Sequence, residues 1–368
     1  MPTFLHTADL HLDAAFSAHF TAEQAKIRRN EMLRCVSNLI DLAKNYDILL
    51  IAGDVFDSSY VSEETISFLK RKFAELEHTY VFISAGNHDP YTANSVYANT
   101  DFGDNVHIFG IEPECVELDK LKTRVYGCSF SDAYSDIAKR FNKIEKIEGI
   151  TDIILMHADI ASNMEEVGYN LIDKGYIEGC GADYLALGHI HTRSEIKKYG
   201  NTYFAYPGPP EGRGFDECGD MGCYIGEIND GAVKAEFKKL CIRRLFKIDV
   251  DISGLSDNIQ IFDKVKQEIL SCGCEKDMYK INVVGKISSE IFNIDILKND
   301  IKNAVYYAEV TDNTQQDYDI DAIAAQNTLC GEFVRMMQDK IRNCNDEERR
   351  IAEKAMMIGL DALLGGEV

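Results

Sequence analysis

Five short segments of the chain share one layout: an apolar stretch, a small residue or turn, then side chains that can bind a metal or move a proton. "HTADLHLD" supplies Asp9 and His11, and "LLIAGDVFD" supplies Asp54. "FISAGNHDP" supplies Asn87, His88 and Asp89, "ILMHADI" supplies His157, and "ALGHIHT" supplies His189 and His191. Five of the nine histidines therefore follow strand-like runs, where surface histidines would scatter. Each segment alone reads as a turn with a solvated polar side chain; it is the recurrence that points to one site. Carboxylate plus imidazole suits Mn, Fe or Zn rather than an all-oxygen Ca site. Two such ions about 3.5–4 Å apart can clamp the attacking and leaving oxygens of a phosphoryl centre. A bridging carboxylate is wanted near the middle, and Asp54 follows the most hydrophobic run. His88 suits another task, meeting the phosphate or protonating the leaving oxygen, with Asp89 holding its ring.

Such groups must be delivered to one place by the elements behind them. Side chains two apart on an extended backbone project from the same side, which pairs Asp9 with His11 and His189 with His191. Functional crevices of α/β sheets lie at the carboxyl ends of strands. The first 240 residues do alternate strand-like and helix-like stretches, including a helix after Thr21 as N-cap, and then run mostly to strands. A catalytic domain over 1–242 is expected to be a layered α/β sandwich. Residues 243–315 read as β-α-β-α-β, a small α+β cap domain, and 316–368 as a helical tail. Ile351, Ala355, Ile358 and Ala362 recur there at helical spacing, on a face that packs on its own domain or on a partner.

In this order, Asp-x-His, Gly-Asp, Gly-Asn-His-Asp, a lone His and Gly-His-x-His resemble the motifs of the calcineurin-like metallophosphoesterase superfamily. The likeness is closer to its DNA repair exonuclease branch, the SbcD-type nuclease subunit. The opening "HTADLHLD" supports this, as does "YPGPPEGRGFDECGDMGCYIGEI" after the histidine pair. The segment "GDVFDSS" lacks the Arg-Gly of protein phosphatases. The resemblance implies an α/β/β/α sandwich and two divalent ions, manganese first, with iron or zinc as alternatives. It implies Asp9, His11 and His191 on one ion, Asp54 bridging, Asn87, His157 and His189 on the other, and His88 as the catalytic histidine. It also implies DNA as substrate, a homodimer, and C-terminal helices that hold an SbcC-like coiled-coil ATPase.

Two residues carry paired readings. "PGPPEGRG" sets a tight turn, or its Arg213 reaches a substrate phosphate, for which a guanidinium is suited. Asp13 is a solvated loop carboxylate or a support for the site. His6, His19, His78 and His107 fit no motif and read as structural or surface residues.

The formal charge of −22 argues against coating nucleic acid by bulk electrostatics, though metals can turn an acidic pocket into an anion site. Eleven scattered cysteines without a Cys-x-x-Cys pair argue against a disulfide framework or zinc finger. No apolar run approaches membrane-spanning length and no signal-peptide pattern opens the chain, so a cytoplasmic protein is expected. The expected function is a two-metal DNA phosphodiesterase. Its rivals are a small-nucleotide phosphodiesterase or phosphomonoesterase, and a non-catalytic scaffold.

Overall fold

The computed structural model describes residues 1–16, 20–134, 136–141, 143–161, 170–287 and 291–364; His19 lies outside them. The chain divides into two units, Met1–Leu245 and Phe246–Val368.

In the first unit the run Ile48–Ala52 is a strand buried at every residue. Side chains alternate along a strand, so Leu49 and Ile51 enter one core with Met32, Val36, Leu39 and Ile40 of the helix Ala22–Ala43. Ile48, Leu50 and Ala52 enter a second core, shared with Val125, Ile153, Leu155, Tyr184 and Ala186 of another sheet. A strand covered on both faces needs no polar alternation, hence the unbroken apolar sequence.

Two six-stranded sheets thus lie face to face. The first runs Ala232–Lys239, Gly222–Asn229, Thr3–Thr7, Ile48–Ala52, Tyr80–Ser84, Val106–Ile108. Its last four strands are parallel, and the first two form an antiparallel hairpin. The second runs Lys197–Tyr199, Thr202–Ala205, Tyr184–Gly188, Thr151–His157, Thr123–Gly127, Glu114–Leu118, parallel at its centre and antiparallel at both edges. Helices Ala22–Ala43 and Glu63–Ala74 cover the outside of the first sheet. The outside of the second is covered by the short helix Lys174–Gly179 and by Phe130, Ile137 and Ile144. This is the α/β/β/α layering expected, with a thin fourth layer. Thr21 caps the long helix: its hydroxyl accepts from the Gln24 N–H, and the Gln24 side chain accepts from the Thr21 N–H.

The second unit opens with strand Leu245–Asp251, helix Asn258–Cys272, strand Met278–Ile287, helix Ile294–Ala304 and strand Tyr307–Gln316. Its core holds Val250, Ile261, Val265, Tyr279, Ile281, Leu297 and Ile301. Helices Ile320–Ala324, Leu329–Arg342 and Asp346–Leu364 form the tail. The terminal helix buries Ala352, Met356 and Leu360, the last two packing with Val334. The face read from the sequence points elsewhere: Ile351 is 67% and Ile358 50% exposed. No helix among the described residues is long and apolar enough to cross a membrane.

Candidate metal centre

The parallel strands of both sheets release their following residues at one place, and the backbone there is strained. Asp9, His11, Asp54 and His189 have φ of +54°, +42°, +49° and +93°. Each such conformation costs on the order of 1–3 kcal/mol for a residue other than glycine and persists only where its surroundings enforce it. Here the Asp9 N–H donates to the Gly53 carbonyl at 3.0 Å and the His11 N–H to the Asp54 carbonyl at 2.9 Å. The His189 N–H donates to Asp9 Oδ1 at 3.1 Å. Two glycines let the strand ends meet. A Cβ on Gly188 would lie 1.7 Å from the Ala52 carbonyl oxygen, and one on Gly86 2.1 Å from Asp54 Oδ1.

The donor atoms of the expected ligands gather in two groups that share Asp9; a third group, of His11, Asp57 and His88, shares His11 with the first. Asp9, His11 and His191 bring one ligand atom each to within 4.8 Å of one another, as do Asp9, Asp54 and His157. In the first group the Nε2 atoms of His11 and His191 face each other at 3.3 Å, with Asp54 Oδ2 3.7 Å from the former and Asp9 Oδ1 3.9 Å from the latter. In the second, Asn87 Oδ1 lies 2.9 Å from His157 Nε2 and 3.2 Å from His189 Nδ1. Asp54 Oδ2 lies 3.4 Å from His157 Nε2, so this one carboxylate oxygen borders both groups.

Tautomers follow from the partners. His157 Nδ1 donates to the Ala52 carbonyl at 2.9 Å, so in the neutral ring the Nε2 lone pair faces Asn87 and Asp54 oxygens. Such a contact is repulsive unless positive charge lies between the atoms. Asp9 Oδ2 is buried without a hydrogen-bond partner. An orphaned carboxylate oxygen, imidazole nitrogens that face one another and a mixed N/O set are what a divalent cation satisfies, so the residues present fit such an ion.

The charge balance agrees. Burial would raise Asp54, but His157, His11 and the His88 N–H outweigh it and hold its carboxyl well below the usual range. Burial keeps Asp9 above its ordinary value despite His157 and His191. Against its own burial, His157 is driven up to about 9 by Asp54 and Asp9. Burial and the neighbouring His157 pull His189 down to about 4. The pocket draws positive charge, whether carried by protons or by cations.

His88 stands at the exposed rim. Its backbone N–H donates to Asp54 Oδ1 at 3.0 Å, and its Nδ1 donates to the Asp57 carbonyl at 3.0 Å. That bond leaves Nε2 as the ring nitrogen available to other groups. Asp89 does not hold this ring. It is buried, and its carboxylate accepts from the Gly86 N–H at 2.8 Å, the Phe56 N–H at 3.0 Å and the Tyr97 hydroxyl at 2.5 Å. Burial, then the nearby Asp54 charge, lifts it to about 6. Asp89 braces the loop because its short side chain turns inward to satisfy buried N–H groups.

Arg213 likewise meets protein. Its Nη1 donates to Asp57 Oδ1 at 2.8 Å and its Nη2 to Glu217 Oε1 at 3.1 Å. Asp13 fits neither reading: it accepts from the Ser62 N–H at 2.7 Å and the Thr65 hydroxyl at 2.8 Å, pinning the start of helix Glu63–Ala74. Two residues went unread in the sequence. Asp57 lies 3.2 Å from His11 Nδ1, and Glu217 Oε1 lies 2.8 Å from His191 Nδ1. The Asp-x-x-Asp spacing of Asp54 and Asp57 was a signal for the first; Glu217 had none.

The model of the calcineurin-like phosphoesterase family matches residues 2–193 of the 368, more than half the chain. YhaO of Bacillus subtilis (strain 168), an uncharacterized metallophosphoesterase, is 29% identical over 278 residues, 72% of this chain and 66% of that protein. The DNA double-strand break repair protein Mre11 of Methanopyrus kandleri is 24% identical over 273 residues, 68% of this chain and 59% of that protein. The chain therefore spans less than two thirds of the length of these curated relatives, 66% and 59%. The crystal structure of TT1561 of Thermus thermophilus is similar at a TM-score of 0.41 and 9% identity, over 64% of this chain and 98% of that one.

Proposed function

Since the chain belongs to the calcineurin-like phosphoesterase family, whose members use divalent metal ions, we propose that it is a two-metal phosphodiesterase that hydrolyses DNA. The observation that carries the chemistry is the pair of donor groups bordered by the single Asp54 oxygen. Asp9, His11 and His191 would hold one ion, Asn87, His157 and His189 the other, and Asp54 both. Manganese is the first choice, with iron or zinc behind it, for a mixed imidazole and carboxylate set. When bound, the ions supply Lewis acidity that neutralises phosphate charge and makes water a competent nucleophile at neutral pH. The chain's own part is orientation and proton transfer. His88, held through Nδ1 by the Asp57 carbonyl, directs Nε2 outward, where it contacts a phosphate oxygen or protonates the leaving one.

DNA as substrate draws support from the Methanopyrus relative, named for double-strand break repair, and from the sequence resemblance. The formal charge of −22 favours a second reading, a small-nucleotide phosphodiesterase, because a duplex would be repelled by the isolated chain. A coiled-coil ATPase subunit seated on the tail would supply basic surface, and the exposed Ile351 and Ile358 are where such a partner would dock. A scaffold role is disfavoured by the complete donor set.

The test is manganese-dependent hydrolysis of a labelled duplex, a single strand and bis-p-nitrophenyl phosphate by wild type and His88→Ala. DNA cleavage that drops about 10²–10⁴-fold in His88→Ala, with metal content retained, is the expected result. Turnover of the small ester without DNA cleavage, even with a partner ATPase added, would move the assignment to the small-molecule reading.

A further inference from the structure

We propose that Arg213 and Glu217 are positioning residues that set the cation affinity of the centre through His191, with Asp57 and His11 as a second arm. The inference rests on the reading of the centre as a metal site. Glu217 is only 2% exposed, and its Oε1 lies 2.8 Å from His191 Nδ1. The same oxygen accepts from Arg213 Nε at 3.2 Å and Nη2 at 3.1 Å, while Oε2 accepts from the Arg213 backbone N–H at 2.6 Å. The other arm of the guanidinium, Nη1, holds Asp57 Oδ1 at 2.8 Å, and that oxygen lies 3.2 Å from His11 Nδ1. The last contact is out of line for a hydrogen bond, so it acts by charge alone. One planar fork thus spans two carboxylates, each set behind the distal nitrogen of a histidine whose Nε2 faces the other's at 3.3 Å.

The tautomer of His191 is what this arrangement decides. Arg213 Nη2 also lies 3.3 Å from His191 Nδ1, and a guanidinium can only donate. If Nδ1 accepted from Arg213, a neutral ring would carry its proton on Nε2 and could not ligate. The Glu217 carboxylate is nearer, at 2.8 Å though likewise out of line for a hydrogen bond, and its negative charge favours the proton on Nδ1, so that the Nε2 lone pair faces the centre. Arg213 in turn neutralises Glu217 and prevents the two carboxylates from repelling each other. Groups that orient a ligating histidine in this way typically change metal affinity by about 10–100-fold when removed. On this account Arg213 acts on phosphate only through the histidines.

The experiment is calorimetric titration of the full chain with Mn²⁺, together with hydrolysis of bis-p-nitrophenyl phosphate at saturating Mn²⁺. Glu217→Ala should bind Mn²⁺ about 10–100-fold more weakly. Glu217→Gln removes the charge in a near-isostere and should weaken binding as well, so it also serves if the alanine variant does not fold. Arg213→Lys cannot span both carboxylates and should weaken Mn²⁺ binding with the KM of the diester unchanged. Unchanged Mn²⁺ affinity in both Glu217 variants overturns the proposal. So does an Arg213→Lys variant with a raised KM and wild-type Mn²⁺ affinity, which returns Arg213 to the substrate. A wild-type chain that binds no Mn²⁺ overturns the metal reading itself, and shows as a different outcome.

Discussion

His6 lies three residues before Asp9, yet it is handled in the opposite way. Its Nε2 donates to the Leu187 carbonyl at 3.1 Å and its Nδ1 accepts from the Tyr184 hydroxyl at 2.9 Å, so both ring nitrogens are used within the protein. Burial, opposed only by the Leu187 carbonyl, drops its pKa from 6.5 to about 3. A base with a depressed folded pKa leaves stability intact above the unfolded value and loses it as pH falls through 6.5 toward 3, at about 1.4 kcal/mol per pH unit. Metal-free wild type should therefore lose about 2 kcal/mol more than His6→Gln between pH 6.5 and about pH 5, read from urea midpoints. Equal slopes in the two proteins would sink the assignment. The sequence separated His6 from His11 only by the lack of a motif; the partners that make the difference lie 178 and 181 residues away.

At the scale of elements, the centre depends on how closely two sheets approach. Gly188 has no room for a methyl group against the Ala52 carbonyl. Gly188→Ala should force the second sheet off the first and cost more than about 4 kcal/mol, which places it among the severe substitutions. Gly179→Ala is the control, since nothing lies within 4 Å of the added Cβ and its φ is ordinary. Thermal midpoints of the two variants check this, and a Gly188→Ala protein melting like Gly179→Ala would refute it. The buried strands were legible because burial on both faces writes itself as apolar runs. The edge strands Glu114–Leu118 and Lys197–Tyr199 were not, because most of their residues face solvent and carry no such pattern. The terminal helix left two outcomes open for a related reason. Two apolar faces compete on it, and packing against Val334 chose the one with Met356 and Leu360.

Across the whole molecule, all the donor residues belong to the Met1–Leu245 unit. Cation binding should therefore stabilise that unit. At about 100 times Kd a bound ligand adds about 2.7 kcal/mol, or about 5–10 °C for a unit of this size. Calorimetric scans with Mn²⁺ and with chelator should show the unfolding of the Met1–Leu245 unit rising with the metal. Chelation that leaves every transition in place would count against the metal centre. The chain's formal charge of −22 sharpens the expectation, because bound counter-charge relieves the self-repulsion of an acidic chain.

By itself the sequence determined the interior strands and helices and singled out Asp9, His11, Asp54, Asn87, His88, His157, His189 and His191 as one candidate set. Their common position after apolar runs is a local property, and parallel strands carry local properties to one edge. Only the tertiary structure decided what stands behind them. Arg213 meets Asp57 across 156 residues, Glu217 turns inward to His191, and Asp89 turns from His88 to the Phe56 and Gly86 N–H groups. Those choices depend on which polar groups are left unpaired once the sheets close. No spacing along the chain records that.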